Sequence, residues 1–282
     1  MTVSLAEERI MILETKDDLD LKKIAQSGQC FRFLEISEGV FRIPHKESCL
    51  IIKETKPGVF DLSCEEEEFD ALWKTYFDMD LSYSDVRHRI DRDMDPFLFE
   101  AAESQKGIRI LRQDLFETFI SFIISQNRNI PAIKNSIELL CEKCSAPAKD
   151  PLGNTYYPFP TAERIAALSL DDLTECRLGY RNTYIKRFAE DLASGNIELD
   201  PFNNMSDDEC LKELTKIYGV GKKVASCVML FGLHRINAFP IDVWIKRILE
   251  NEYKNGYPFE KYAPYNGIYQ QYMFAYYREK NS

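Results

Sequence analysis

No apolar run in this sequence approaches the roughly 20 residues that a membrane-spanning helix needs, which excludes such a helix. The first residues, MTVSLAEERIMILETKDD, lack the basic-then-apolar layout of a secretory signal, so a cytoplasmic location is expected. Histidine is scarce, and His45, His88 and His234 lie too far apart in the chain to form a metal-spacing motif. Of the eight cysteines only Cys141 and Cys144 form a C-x-x-C pair, with no second pair and no histidine nearby. Half a ligand set argues against a zinc knuckle, and scattered cysteines without a secretory signal are expected to stay reduced. Internal repeats, low-complexity tracts and long linkers are missing too, which removes solenoids and tethered modules from consideration. Cations are outnumbered, 36 Lys and Arg against 46 Asp and Glu, and the resulting charge of −10 argues against binding polyanions over the whole surface.

What the sequence does have is material for a core: 45% of its 282 residues are hydrophobic, enough for one large domain or two modest ones. Residues 9–63 read as short strands, RIMIL, CFRFLEI, VFRI, CLIIK and VFDLS, parted by turns and by one helix, DLDLKKIAQSG. From about Glu65 the apolar period changes to three or four, in segments such as EEEFDALWKTYF, DLFETFISFIISQ, IPAIKNSIELLCEKC and TYIKRFAEDLAS. Many of these follow an Asp, Ser or Thr able to cap a helix. The expected fold class is α+β: an N-terminal twisted antiparallel β-sheet with flanking helices over residues 1–106, then a mostly helical region over 107–282. The stretch APAKDPLGNTYYPFPTAE is expected to be an ordered loop between helices.

Charge is not spread evenly. Between Leu211 and Arg247 seven Lys or Arg stand against two acidic residues. Inside that window, LKELTKIYGVGKKVASCVML reads as helix, tight hairpin, helix, spanning about residues 209–232. Gly219 and Gly221 permit a close backbone approach and leave N–H groups at the start of the second helix, a seat for an anion. Lys222 and Lys223 point about 100° apart on that helix, so one can face solvent or phosphate and the other a pocket. Asp242, in AFPIDVW, can cap the next helix or stand near Lys223 as a carboxylate that relays protons or stabilises a sugar cation. A lysine beside another cation and partly shielded from water becomes a usable amine nucleophile.

The run LTKIYGVGKKVASC…AFPIDVW resembles the helix-hairpin-helix, Gly-Pro-Asp superfamily of base-excision glycosylases, and within it the 8-oxoguanine DNA glycosylase/AP lyase branch. SGQCFRF, GIRILRQD, FISFIISQNRNI, LGYRNTY and APYNGIYQQYMFAY look like that branch in the same order. The resemblance implies that Lys223 attacks the sugar C1′ of the damaged nucleotide and that Asp242 assists. It implies that the Gly28 carbonyl reads the purine N7–H, a hydrogen that 8-oxoguanine has and guanine lacks. By the same comparison Cys227 and Phe274 sandwich an extruded base and Gln270 bonds its Watson–Crick edge; without it, both walls would read as core residues. Asn127 would fill the vacated space, Tyr180 wedge beside the opposite base and Arg181 contact that base. Ala132 stands where the eukaryotic pattern has a second arginine, which implies looser discrimination for cytosine opposite the lesion. Trp244 replaces a common histidine at a DNA-contacting position.

The same resemblance implies damaged double-stranded DNA as the partner, with no membrane and no obligate protein partner, and a C-terminal helix packing back on the cleft. No cofactor is expected to be required. No cysteine follows Cys227, so the iron–sulfur cluster of endonuclease III-like relatives is not expected. The hairpin carbonyls of Thr215, Ile217 and Val220 look like a seat for a structural cation. Alternatives are a glycosylase for another damaged purine, one that uses an Asp242-activated water in place of the lysine, and a non-catalytic DNA-binding hairpin module. More remote is a small-molecule sugar enzyme.

Overall fold

The computed structural model describes residues 11–281; Arg9 and Ile10 of the first expected strand lie outside them. Five strands, β1 (Met11–Glu14), β2 (Leu34–Ser37), β3 (Val40–His45), β4 (Ser48–Lys56) and β5 (Val59–Leu62), form one antiparallel sheet in the order β1-β5-β4-β3-β2. One face is apolar. Phe41, Ile43, Leu50, Ile52, Phe60 and Leu62 pack there with Leu21 and Ile24 of the Leu21–Gln26 helix and with Trp73 and Phe77. The α+β expectation agrees with this arrangement. Among the described residues no helix is long and apolar enough to cross a membrane, and the eight cysteines are free thiols.

The helical region has its own core, centred on the Leu115–Ser125 helix, whose Phe119, Ile120, Ile123 and Ile124 are fully buried. This core does not begin at residue 107, the boundary expected from sequence. Val86, Leu98, Ala101 and Ala102, from the Tyr83–His88 and Pro96–Ser104 helices, already belong to it, whereas Leu111 returns to the sheet core. The chain therefore crosses between the two cores more than once, Phe31 too belonging to the helical core between Cys30 and Phe33 of the sheet core. Two local features also depart from simple helical and loop readings. The turn over Phe69–Trp73 widens to a π-helix inside the expected helix, and the proline-rich stretch holds a short strand pair, Ala148–Lys149 with Thr155–Tyr156. Asp150 orders that stretch by accepting the Leu152 and Asn154 amides at 3.0 and 2.8 Å.

Where the cores meet, Arg109 is fully buried. Its Nε donates to the Phe77 carbonyl, its Nη1 to the Asp17 carboxylate and the Asp18 carbonyl, and its Nη2 to the carbonyls of Asp78 and Leu81, at 2.7–2.8 Å. All five guanidinium N–H groups are thus used, the condition under which a buried cation is tolerated. Nearby, Asp78 binds Arg112 and lies 3.1 Å from Nε2 of His234, tying the sheet side to the loop that follows the hairpin. Burial alone would raise the Asp17 carboxyl, but hydrogen bonds from the Ser84 amide, Arg109 and the Tyr83 amide outweigh it and hold it well below the usual carboxylate range.

A depressed folded-state pKa stabilises the fold above the unfolded carboxylate value near about 4, and this contribution is lost as pH falls through the folded value. Replacing Arg109 with Met strands these buried acceptors and is expected to cost roughly 3–5 kcal/mol in urea denaturation. It should also weaken the acid-side fall in stability, since Asp17 loses its guanidinium partner. A loss below about 1 kcal/mol, with an unaltered pH profile, would contradict the role given to Arg109.

Candidate active site

The hairpin joins the Asp207–Leu214 helix, closed at its start by a Ser206–Glu209 capping box, to the Lys222–Phe231 helix. Gly219 lies at φ +85°, and a β-carbon there would come within 2.4 Å of Cγ of Tyr184. Its carbonyl accepts Nε2 of Gln126 at 3.1 Å, so the hairpin is tied to the loop after the Leu115–Ser125 helix. Gly221 is exposed, caps the second helix without any side-chain bond, and has nothing within 4 Å of a β-carbon built on it. The amides that open this helix therefore lie beside open space, the arrangement that receives an anion. Of the hairpin carbonyls, that of Ile217 already accepts the Val220 amide at 3.0 Å.

The two lysines separate as their helical spacing requires. Lys222 is exposed; Lys223 is half-buried, with Nζ 3.4 Å from Oγ of Ser125 and 5.0 Å from the centre of the Phe122 ring. One turn on, Cys227 is buried, and burial pushes its thiol up while Lys223 pulls it down and Asp242 raises it further. The Cys227 thiol thus feels both Lys223 and Asp242. The net upward shift keeps Cys227 a neutral, polarizable wall. Asp242 does cap the Val243–Glu252 helix, accepting the Ile245 amide at 2.8 Å through Oδ1.

Opposite this helix the chain turns at Gly28, φ +78°, where a β-carbon would meet Cε1 of Phe274 at 3.2 Å and Nη1 of Arg278 at 3.4 Å. Four successive carbonyls run through the turn. That of Gln26 accepts Nη2 of Arg278, that of Ser27 accepts Nε2 of Gln271 at 2.6 Å, and that of Gln29 accepts Nε2 of Gln113 at 2.8 Å. Among the described residues no donor is paired with the Gly28 carbonyl between them. The Gln29 side chain in turn clamps the 109–111 segment, donating to the Arg109 carbonyl and accepting the Leu111 amide, both at 2.8 Å.

The C-terminal helix, Asn266–Lys280, supplies the remaining wall. Phe274 is half-buried under the Arg278 guanidinium, 5.5 Å from the ring centre. Gln270 is buried, donates Nε2 to the Pro240 carbonyl at 3.0 Å, and leaves its Oε1 without a partner. Trp244 packs against Tyr277, with ring centres 6.1 Å apart, and under the Arg247 guanidinium.

Across the cleft mouth Asn127, exposed at φ +50°, donates Nδ2 to the Tyr180 hydroxyl at 3.2 Å, and Tyr180 is half exposed. The two side chains expected to fill and to wedge are thus adjacent. Arg181 departs from its expected place. It is 6% exposed, bound to the carbonyls of Leu178 and Gln126 and stacked 4.3 Å from the Tyr180 ring, so it braces the loop rather than projecting from it. Its draw is the pair of loop carbonyls left by Gln126 and Leu178, a long-range environment that a motif does not reveal. The sequence reading also missed Ser125, Tyr184, Gln271 and Arg278. The i, i+4, i+8 spacing of Gln270, Phe274 and Arg278 was the available signal for the last, since it puts them on one helical face.

Residues 11–119 match the family described as 8-oxoguanine DNA glycosylase, N-terminal domain, and residues 120–255 match the HhH-GPD superfamily of base excision DNA repair proteins. The N-glycosylase/DNA lyase of Saccharomyces cerevisiae is 31% identical over 265 residues, covering 85% of this chain and 69% of the yeast protein. The solved structure of the Clostridium acetobutylicum 8-oxoguanine glycosylase/lyase, in complex with double-stranded DNA carrying cytosine opposite 8-oxoG, superposes with a TM-score of 0.87 at 34% identity, over 96% of this chain and 99% of that one. A structure of MBOgg1 in complex with a low affinity DNA ligand has a TM-score of 0.91 at 35% identity, with both chains fully covered. This chain belongs to the 8-oxoguanine DNA glycosylase family of the HhH-GPD superfamily.

Proposed function

We propose that this enzyme excises 8-oxoguanine from duplex DNA and then cleaves the strand, with Lys223 as the attacking amine. The observation that carries the reading is the inward turn of Lys223 beside Cys227, a thiol that also feels Asp242, while its neighbour Lys222 stays in solvent. A base inside a stacked duplex hides its glycosidic carbon, so the nucleotide must be extruded, at a cost of a few kcal/mol, on the order of one unstacking step. Asn127 and Tyr180 suit the space it leaves. Cys227 and Phe274 suit the two faces of the extruded ring. The unpaired Gly28 carbonyl suits N7–H of 8-oxoguanine and repels the bare N7 of guanine, and the unpaired Oε1 of Gln270 suits a donor on the Watson–Crick edge.

In the reaction the neutral amine of Lys223 forms a bond to C1′ as the bond from C1′ to the base breaks, and the base leaves with the electron pair and takes up a proton. Asp242 stabilises the positive charge that grows on the sugar. The ring bond from C1′ to O4′ then breaks, O4′ takes up a proton, and the lysine nitrogen forms an iminium with C1′. A C2′ proton then leaves, the C3′–O bond breaks by β-elimination to release the phosphate, and water returns the Lys223 amine. A purely DNA-binding module has no use for a lysine and a carboxylate converging on one buried thiol.

Binding assigns the amides after Gly219 and Gly221, with exposed Lys222, to a backbone phosphate, and Trp244 to the neighbouring DNA contact surface. The neutral carbonyls of Thr215, Ile217 and Val220 would hold a structural cation there, which would supply positive charge near the phosphate. With Ala132 in one arginine position and Arg181 folded inward, the opposite base is held by few charged groups, consistent with loose discrimination. A setting inside the cell belongs to the same reading.

Borohydride should trap the enzyme covalently on 8-oxoguanine duplex, and Lys223→Gln should abolish both trapping and alkali-independent nicking without lowering the melting temperature. Persistence of trapping in that variant would remove Lys223 from the chemistry. The two hairpin glycines are expected to differ. Gly219→Ala forces a β-carbon into Tyr184 at positive φ and should cost about 1–3 kcal/mol of stability. Gly221→Ala should melt normally yet bind duplex DNA more weakly, because the added methyl stands where a phosphate must approach. Unchanged affinity in Gly221→Ala would place the phosphate elsewhere.

A further inference from the structure

The carbonyls flanking Gly28 are filled by side chains from distant elements, and two of these come from one helix. Gln271 and Arg278 are seven residues apart on the Asn266–Lys280 helix and so share a face. The first donates to the Ser27 carbonyl at 2.6 Å and the second to the Gln26 carbonyl. The Arg278 guanidinium also lies over the Phe274 ring and 3.4 Å from the site of a Gly28 β-carbon. One side chain thereby fixes both the turn and the wall beside it.

We infer that Gln271 and Arg278 are positioning residues that set the preference for 8-oxoguanine over guanine, by holding the single unpaired carbonyl of the Gly28 turn on the line of N7. This rests on the assignment of Gly28 to base recognition. A carbonyl discriminates N–H from a bare nitrogen only if it points at it, because the attraction and the acceptor–acceptor repulsion both fade as the angle opens. With the Gln26 and Ser27 carbonyls released, the peptide planes on the approach to Gly28 are free to rotate. Lost donors would also leave the Gln26 and Ser27 carbonyls to compete for solvent or for the base itself.

The test compares the full chain with Gln271→Met, Arg278→Met and Arg278→Lys. Each is assayed under single turnover for release of 8-oxoguanine, release of guanine and cleavage at a preformed abasic site, with melting temperature recorded alongside. The abasic substrate needs Lys223 but no base recognition. The methionine variants are expected to lose 8-oxoguanine release by roughly tenfold to a hundredfold, the scale of a misplacement near about 1 Å. Guanine release should not fall with it, and abasic cleavage should change far less. Arg278→Lys keeps a donor for the Gln26 carbonyl and should recover most of the loss. Because Gln271 carries no charge, its variant excludes a field effect on Asp242. Arg278 is only half-buried, so its variants remain informative even where Gln271→Met fails to fold.

A folded Arg278→Met enzyme that keeps both its rate and its preference would overturn the inference. So would excision and abasic cleavage falling in parallel. A wild-type enzyme that itself shows no preference for 8-oxoguanine over guanine would instead refute the Gly28 assignment, which separates the two failures.

Discussion

Arg109 is a cation with no water around it, and the geometry of the site depends on what that requires. Its five donors draw in acceptors from the segment after β1, from the end of the 66–76 helical stretch and from the loop at Leu81. Leaving any of these unmade costs more than a surface hydrogen bond, so the segments are held together tightly where the two cores meet. The 109–111 segment fixed in this way then holds Gln29 through two amide hydrogen bonds, and Gln29 adjoins Gly28. A buried charge is thus linked through Gln29 to the turn whose carbonyl the proposed function assigns to the base.

The hairpin meets that scaffold from the other side. Gly219 is pressed on Tyr184 and its carbonyl is bound by Gln126, which follows the helix that supplies Ser125 and Phe122 to Lys223. The hairpin, Lys223 and the Asn127 loop are thereby joined through direct contacts. The chain's net acidity is compatible with DNA binding because the cations that matter are concentrated near the hairpin, and fields decay over about 10 Å at moderate salt. Release of counterions depends on local contacts rather than on the total charge.

Much of the fold was legible in the sequence, because periodicity and caps are local. The strands from VFRI to VFDLS, the change of period near Glu65 and the role of Asp242 as a cap all follow from neighbours a few residues apart. The separation of Lys222 from Lys223 was equally legible, since it needs only the helical angle. What the sequence hid is long-range. The core boundary moved because the Pro96–Ser104 helix packs on the C-terminal helix, and Arg181 folded inward because two loop carbonyls stand within its reach. Gln271 and Arg278 bond carbonyls 244 and 252 residues away, a pairing that no local pattern contains.

In the resulting picture the lesion is told from guanine by one hydrogen, offered to one carbonyl that the protein has kept free of its own donors. An 8-oxoguanine analogue with carbon in place of N7 keeps the shape and the 8-oxo group but offers no N–H. The most direct measurement is single-turnover release of this 7-deaza analogue against 8-oxoguanine in the same duplex. Loss of a buried hydrogen-bond partner, worth about 1–3 kcal/mol, predicts release slower by roughly fivefold to a hundredfold. Equal rates for the two bases would contradict recognition through Gly28.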